Sequence, residues 1–211
     1  MFDITFLRHG ESEGNQAGWI QGQTNSPLTE KGLRQAQALA RYWSCEGKRF
    51  DLIISSTLSR AQETAMLICQ SIQVPVETDA IWQERDFGEI EGHSPEELLQ
   101  LQPNLDFYHP YIPPVPGAES QLDLFLRASQ GLKNILLRQE GSYLIVSHGS
   151  ILNMVMYAIF GLTPQGNYQS PRFMLDNTGF AQFTYKSENR QWRLWNFNCT
   201  PHLRTTQIDT V

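Results

Sequence analysis

Cysteine and positive charge are both scarce in this chain of 211 residues. The three cysteines are odd in number and show neither a CxxC pair nor another metal-binding spacing, which favours a reducing, cytoplasmic compartment. The formal net charge is −6, and no run of Lys or Arg occurs. We therefore expect no non-specific electrostatic binding to nucleic acid or to an anionic membrane surface.

Long apolar segments and cofactor motifs are also missing. The longest apolar stretch, residues 151–162, is interrupted by Asn153 and is shorter than the roughly 20 residues that span a bilayer. Strand-like residues follow Met1 directly, so no signal peptide is expected. No HExxH motif, Walker loop or GxGxxG fingerprint occurs. The sequence thus predicts no membrane segment, no metal and no cofactor.

Three short apolar runs, each followed by polar or charged residues, are typical of buried strands. The runs are residues 4–7, 51–54 and 143–146, and they lead into Arg8 and His9, into Arg60, and into His148 and Gly149. Because strand ends in open α/β sheets form a ligand-binding edge, these side chains are expected to meet there. A lone histidine is more often structural, but two His-Gly pairs beside arginines suit a phosphoryl group.

Helical patterns alternate with these runs, which predicts an α/β fold. Helices are expected from about residue 30, from about residues 58–60, from about 119 to 139, and over 151–160. Residues 180–185 and 192–197 are predicted to pair as a hairpin, which would make the sheet mixed. The chain is expected to form a single domain over residues 1–211, with a loosely ordered tail from Thr205.

A long proline-rich insertion, residues 86–120, is predicted to be a lid or specificity segment. It contains several acidic residues, and from Asp86 to Leu126 there is no Lys or Arg. The aromatic residues Trp19, Phe107, Tyr108 and Tyr111 suggest a leaving group with apolar or ring character. Packing of these rings between the lid and the body is an equal alternative.

An ordered series of motifs along the chain resembles the histidine phosphatase superfamily, also called phosphoglycerate mutase-like proteins. The resemblance covers essentially the whole chain and implies a three-layer α/β/α sandwich with a mostly parallel, mixed central sheet. The matching residues are Leu7-Arg8-His9-Gly10-Glu11-Ser12 with Asn15, Gln21-Gly22, Ser55-Ser56 with Arg60, Glu84 with Gly88 and Glu91-Gly92, Gly117 with Glu119-Ser120, Ser147-His148-Gly149, and Asn198 with His202.

The resemblance also implies roles for individual residues. His9 would be the nucleophile of a covalent phosphohistidine and Glu84 the general acid and base, although on spacing alone Glu84 could be a surface carboxylate paired with Arg85. His148, if protonated, would stabilise developing charge. The expected catalytic set is His9, Glu84, His148, Arg8 and Arg60, and the expected phosphate or substrate contacts are Arg8, Asn15, Gln21, Gly22, Arg60 and Gly149, with no metal.

The predicted function is hydrolysis of a small phosphorylated metabolite, with a phosphate monoester as the partner. One alternative is a phosphoglycerate mutase acting between 2- and 3-phosphoglycerate, and a second is a non-catalytic phosphate-binding regulatory module. Mutases of the family typically carry a His-Tyr pair after the acid and further arginines beyond it, whereas this chain has Asp86-Phe87 and an acidic lid. The phosphatase is therefore preferred. The oligomeric state is left open, with a homodimer as one option.

Overall fold

The computed structural model describes residues 1–165 and 171–204. Its six-stranded sheet is built from β1 (Phe2–Arg8), β2 (Leu52–Ser55), β3 (Val76–Thr78), β4 (Ser142–Ser147), β5 (Phe180–Lys186) and β6 (Gln191–Cys199). The helices are α1 (Glu13–Ala17), α2 (Glu30–Cys45), α3 (Ser59–Ile72), α4 (Pro95–Leu101), α5 (Gln121–Leu136), α6 (Gly149–Phe160) and α7 (Pro201–Arg204). The expected tail from Thr205 lies outside the described residues.

The sheet is mixed and mostly parallel, with the strand order β3-β2-β4-β1-β5-β6. Strands β3, β2, β4 and β1 run parallel to one another. β5 pairs antiparallel with β1, and β6 pairs antiparallel with β5. The predicted α/β class, the mixed sheet and the C-terminal hairpin are therefore confirmed.

Helices cover both faces of the sheet because side chains along each strand alternate between two apolar cores. Ile54 and Ile145 belong to a core that also contains buried residues of α5 and α6. Their neighbours Ile53 and Leu144 belong to the opposite core, with buried residues of α2 and α3. This arrangement is the predicted three-layer α/β/α sandwich.

The strand register brings the polar strand ends to one edge of the sheet. Arg8 of β1 is paired with Ser147 of β4, so the residues that follow them, His9 and His148, are neighbours. The backbone N–H of His9 donates to the carbonyl of Ser147 at 3.0 Å. Ser56 follows β2 at the same edge, where its N–H donates to Val146 O at 2.9 Å.

The helix starts place polar groups near this edge. α3 begins at Ser59, so Arg60 lies in its first turn, as predicted. α6 begins at Gly149, two residues before the predicted start, and His148 is its N-cap residue. Gly149 therefore starts the helix, and N–H groups of the first turn donate to the Glu84 carboxylate at the site.

The lid segment, residues 86–120, contains more regular structure than its prolines predict. Helix α4 starts with a capping box in which Ser94 Oγ accepts from Glu97 N at 3.2 Å. A small apolar cluster of the buried residues Ile90, Leu98 and Val115 gives the segment its own core. Among the described residues, no helix has the length and apolar character needed to cross a membrane.

Candidate active site

His9 is buried at the end of β1 with only 3% of its surface exposed. Its Nδ1 lies 2.6 Å from the carbonyl of Gly10, which can only accept, so the Nδ1 atom carries the proton. Burial, and then the charges of Arg60 and Arg8, lower the pKa of His9 well below its usual range. The ring is therefore neutral, and its Nε2 atom has a free electron pair.

Two guanidinium groups flank this imidazole. Arg60 donates to Gly22 O at 2.8 Å and to Thr24 O at 2.9 Å, while Arg8 donates to Leu175 O at 2.8 Å. Burial lowers the pKa of Arg60 to about 10, so the group keeps its charge at neutral pH. The Nε atom of Arg8 is buried and has no hydrogen-bond partner within the described parts of the chain.

His148 lies beside His9, with a distance of 5.0 Å between the ring centroids. Arg60 Nε donates to His148 Nδ1 at 3.2 Å, and His148 Nε2 lies 2.8 Å from Ser56 Oγ. Nδ1 thus carries no proton. Burial, and then the charge of Arg60, lower the pKa of His148 well below its usual range. His148 is a neutral ring with the proton on Nε2, so the expected charged imidazolium is not the form seen here.

Glu84 reaches the same site from the loop after β3, where its carboxylate accepts backbone hydrogen bonds at the start of α6. The donors are Ser150 N, at 3.0 and 3.1 Å from the two oxygens, and Ile151 N at 3.1 Å. No ion pair joins Glu84 to Arg85, whose guanidinium donates to the carbonyls of Phe107 and Glu119. The alternative of a surface Glu84–Arg85 pair is therefore wrong.

Gly149 leaves open the space between the carboxylate and the guanidinium. A Cβ atom at this position would lie 3.9 Å from Glu84 Oε2 and 4.0 Å from Arg8 Nε. A cavity of about 1050 Å³ adjoins these three residues. It is far larger than a phosphate group, and so it has room for the rest of a substrate.

The amide of Asn15 has a defined orientation. Its Oδ1 accepts from Ser12 N at 3.2 Å and from Asn177 Nδ2 at 3.1 Å. Asn177 Nδ2 also donates to the carbonyl of His9 at 3.1 Å. Because the oxygen is occupied by donors, the Nδ2 group of Asn15 remains as the donor for a ligand. Sequence analysis missed Asn177 because it lies far from His9 along the chain.

Gln21 and Gly22 shape the loop that holds Arg60. Gln21 Oε1 accepts from Ser12 Oγ at 2.7 Å, and Gly22 provides the carbonyl described above. Gly22 has a φ of +48°, and a Cβ atom there would lie 1.8 Å from Glu91 Oε1. Glu91 accepts from Gln23 N and Thr24 N, which fixes the loop. Gln21 and Gly22 do not line the cavity.

Arg127 is another functional candidate that the sequence did not single out. Its guanidinium donates to Gln83 O at 2.6 Å and to Glu84 O at 2.9 Å, and it forms an ion pair with Glu119 at 2.7 Å. It therefore fixes the backbone that carries Glu84. The sequence gave no signal for these contacts, because Arg127 lies on α5, 43 positions after Glu84.

The outer wall of the cavity joins the lid to the body. Polar and aromatic residues of this wall are Tyr108, His109, Gln121, Asn153, Arg172 and Phe173. Of the four aromatic residues proposed as leaving-group contacts, Tyr108 lines the cavity, whereas Trp19, Phe107 and Tyr111 do not. Phe107 packs against the apolar cluster within the lid.

No group of three or more His, Cys, Asp or Glu side chains suited to a metal ion occurs in residues 1–165 and 171–204. The polar groups that converge on the edge of the sheet are two neutral imidazoles, two guanidiniums and a carboxylate. Comparison with known proteins gives this arrangement a family. The family model of the histidine phosphatase superfamily (branch 1) matches residues 4–198. The chain belongs to this superfamily.

Relatives from this superfamily carry both phosphatase and mutase names. The chain is 33% identical to a probable phosphoglycerate mutase of Proteus mirabilis, over 100% of this chain and 99% of the relative. It is 30% identical to an uncharacterized phosphatase of Bacillus subtilis, over 96% of this chain and 97% of the relative. The protein is thus an enzyme of the phosphatase or mutase-like type.

A solved structure supports the same assignment. The structure of a phosphoserine phosphatase from Entamoeba histolytica, in complex with 3-phosphoglyceric acid, is 30% identical and has a TM-score of 0.78. The match covers 96% of this chain and 100% of that chain. The relative therefore binds a small phosphorylated ligand on the same fold.

Proposed function

We propose that this protein is a phosphate monoester hydrolase that acts on a small phosphorylated metabolite through a covalent phosphohistidine on His9. The observation that carries the proposal is the neutral His9 ring, whose Nδ1 proton is held by the Gly10 carbonyl. The Nε2 atom can then attack phosphorus without adding a negative charge. Splitting the reaction at a phosphoenzyme replaces one difficult step with two easier ones.

Arg8, Arg60 and Asn15 are assigned to the phosphoryl oxygens. The unpartnered Nε of Arg8 and the amide NH2 group of Asn15 provide donors for the non-bridging oxygens. His148 is assigned to positioning Arg60, because its Nδ1 accepts from Arg60 Nε and its Nε2 hydrogen bonds to Ser56 Oγ. Such preorganised donors stabilise the charge that spreads over the equatorial oxygens in the transition state.

Glu84 is proposed to move the proton. As the Nε2–P bond forms and the ester P–O bond breaks, the departing alcohol oxygen takes a proton from the Glu84 carboxyl. Water then attacks phosphorus and gives a proton back to Glu84. The P–N bond breaks, and inorganic phosphate and neutral His9 result. The position of Glu84 beside Gly149, at the edge of the cavity, supports this role.

A mutase remains the second candidate, favoured by the relative from Proteus mirabilis and by Arg172, a cation on the cavity wall that comes from outside the lid. The first half-reaction is the same in both enzymes. The acidic lid supports the phosphatase, because a mutase favours a closed pocket with extra cations for a doubly charged substrate.

The test is an assay of purified, chelator-treated protein against a panel of phosphate monoesters, with 3-phosphoglycerate and trace 2,3-bisphosphoglycerate in parallel. We expect inorganic phosphate from the esters and an acid-labile phosphoenzyme that His9→Ala lacks. Rapid formation of 2-phosphoglycerate with little free phosphate would contradict the hydrolase proposal and favour the mutase. Phosphate binding without turnover would favour the regulatory module.

A matched variant tests the proton transfer. Glu84→Gln should slow alkyl esters, whose alkoxides leave poorly, about 100-fold more than activated aryl esters. Equal losses on both kinds of ester would remove Glu84 as the general acid.

A further inference from the structure

Arg172 is a cation on the cavity wall without a carboxylate partner. Its guanidinium stacks on the Tyr108 ring at 4.1 Å from the centroid, and it forms no ion pair with any residue of the described chain. Stacking on the ring restricts the plane of the guanidinium, while the N–H groups at its edge remain available to an acceptor. The side chain is therefore oriented without being neutralised.

Arg172 lines the same cavity as Arg8, Glu84 and Gly149. The carbonyl of Leu175 accepts from Arg8, and the N–H of Phe173 donates to Asn153 Oδ1 at 2.8 Å. Leu175 is the third residue after Arg172, so their Cα atoms lie within about 11 Å even in an extended chain. Because Arg8 and Arg172 line the same cavity, one small substrate can contact both side chains.

On this basis we propose that Arg172 selects phosphate esters whose alcohol part carries a carboxylate. The inference rests on the proposed function, because it names the substrate class of the same site. A carboxylate matches the planar edge of a guanidinium through two parallel hydrogen bonds. A second phosphate matches the wall less well, since Asp106 also lines this cavity and would repel a doubly charged group.

The lid takes part in this selection through Tyr108. Asp106 Oδ1 accepts from Tyr108 N at 2.9 Å, which fixes the turn that carries the ring. Arg172 comes from the segment before β5, so the stacked pair joins the lid to the body across the cavity. The specificity of the enzyme then depends on a contact between the lid and the segment before β5.

The experiment uses pairs of esters that differ only in the carboxylate. O-phosphoserine is compared with O-phosphoethanolamine, and 3-phosphoglycerate with glycerol 3-phosphate, as kcat/KM for phosphate release. We expect the wild-type protein to prefer the carboxylate member of each pair by about tenfold, the effect of one charged hydrogen-bonded contact. The preference should decrease as the salt concentration rises, since salt screens an exposed charge pair.

Variants at residue 172 identify the residue responsible. Arg172→Gln should bring the ratio within each pair close to one, and Arg172→Lys should restore part of it. Arg193→Gln, on the exposed side of β6, is the matched control and should keep the wild-type ratio. An equal loss for both members of a pair in Arg172→Gln, or no preference in the wild-type protein, would overturn the inference.

The two proposals fail in different ways. If p-nitrophenyl phosphate and all four esters release no phosphate, the hydrolase itself is wrong. If the aryl ester is hydrolysed but the carboxylate gives no advantage, only the role of Arg172 is wrong.

Discussion

At the scale of single residues, Gly149 is important for the space that it leaves between Glu84 and Arg8. Gly149→Ala adds a methyl group at ordinary contact distance from both side chains, so the protein should fold and keep its melting temperature. The methyl group would occupy the route between the carboxyl and the phosphoryl oxygens. We expect kcat/KM for aryl phosphates to fall about 100-fold, as for other small displacements of reacting groups. Unchanged kinetics in this variant would show that the phosphoryl group lies elsewhere.

Asn177 does not line the cavity but hydrogen-bonds two residues of the proposed mechanism, His9 and Asn15. Asn177→Ala removes the hydrogen bonds to the His9 carbonyl and to Asn15 Oδ1, so the Asn15 amide loses its fixed orientation. We expect about a tenfold fall in kcat/KM, the effect of roughly one hydrogen bond to a charged ligand. Asn196→Ala is the control, because Asn196 bonds Gln182 in the β5–β6 hairpin. Equal kinetic losses in the two variants would contradict a positioning role for Asn177.

Local sequence identifies the side chains that follow a strand, and for this reason His9, Arg8 and His148 could be predicted. The sequence could not predict the roles of Asn177, Arg127 and Arg172. Each of these residues acts through a contact with a residue 40 or more positions away, namely His9, Glu84 and Tyr108 respectively. Nothing in their own neighbourhood distinguishes them from surface polar residues. Long-range hydrogen bonds to backbone carbonyls leave no periodic pattern in a sequence.

At the scale of structural elements, Arg85 attaches the lid to the loop that follows β3. Its side chain is 2% exposed, donates to Phe107 O at 2.7 Å and to Glu119 O at 2.7 and 2.9 Å, and lies over the Phe87 ring. Arg85→Gln would leave these carbonyls without their charged donor. We expect the free energy of unfolding to fall by about 2–4 kcal/mol and proteolysis within the lid to become faster.

A surface arginine provides the comparison for this variant. Arg138 pairs with Glu77 at 2.9 Å in an exposed position, so Arg138→Gln should cost less than about 1 kcal/mol. Urea denaturation and limited trypsin digestion of both variants measure the difference. If Arg85→Gln were no more susceptible in the lid than Arg138→Gln, the lid would not depend on this anchor.

The boundaries of elements depend on caps that a sequence shows only in part. Thr29 is a typical N-cap residue, and its Oγ1 accepts from Gly32 N at 3.0 Å, which agrees with a predicted helix start near residue 30. The predicted start of α6, residue 151, lies two residues after the observed start at Gly149. Its first N–H groups are satisfied by Glu84, a residue from another part of the chain. Tertiary contacts therefore decide this boundary.

At the scale of the whole molecule, three buried histidines make stability sensitive to mild acid. Burial lowers the pKa of His202 to about 4, and the pKa values of His9 and His148 lie well below the usual range. The unfolded chain takes up protons near pH 6.5, while the folded chain does not. The stabilisation is therefore complete above pH 6.5 and is lost as the pH falls below it.

The size of the effect can be measured in urea. Between pH 7.5 and 5, each such histidine should lower the free energy of unfolding by about 2 kcal/mol. His202→Gln should reduce this dependence by roughly one third, since His202 is one of the three groups. A stability that stays flat down to pH 5, and falls only where carboxylates titrate, would contradict the neutral state of the buried rings.

The register that brings His9 beside His148 has a consequence for synthesis. β1 is the first strand in the chain, but its hydrogen-bonding neighbours in the sheet, β4 and β5, come much later, at residues 142–147 and 180–186. While the ribosome adds the residues before Ser142, the apolar strand that leads to His9 has no partner in the sheet. Premature release at that stage would yield a chain with an unpaired central strand, prone to aggregation. Acquisition of activity would therefore be a late event in translation, completed only after β5 has emerged.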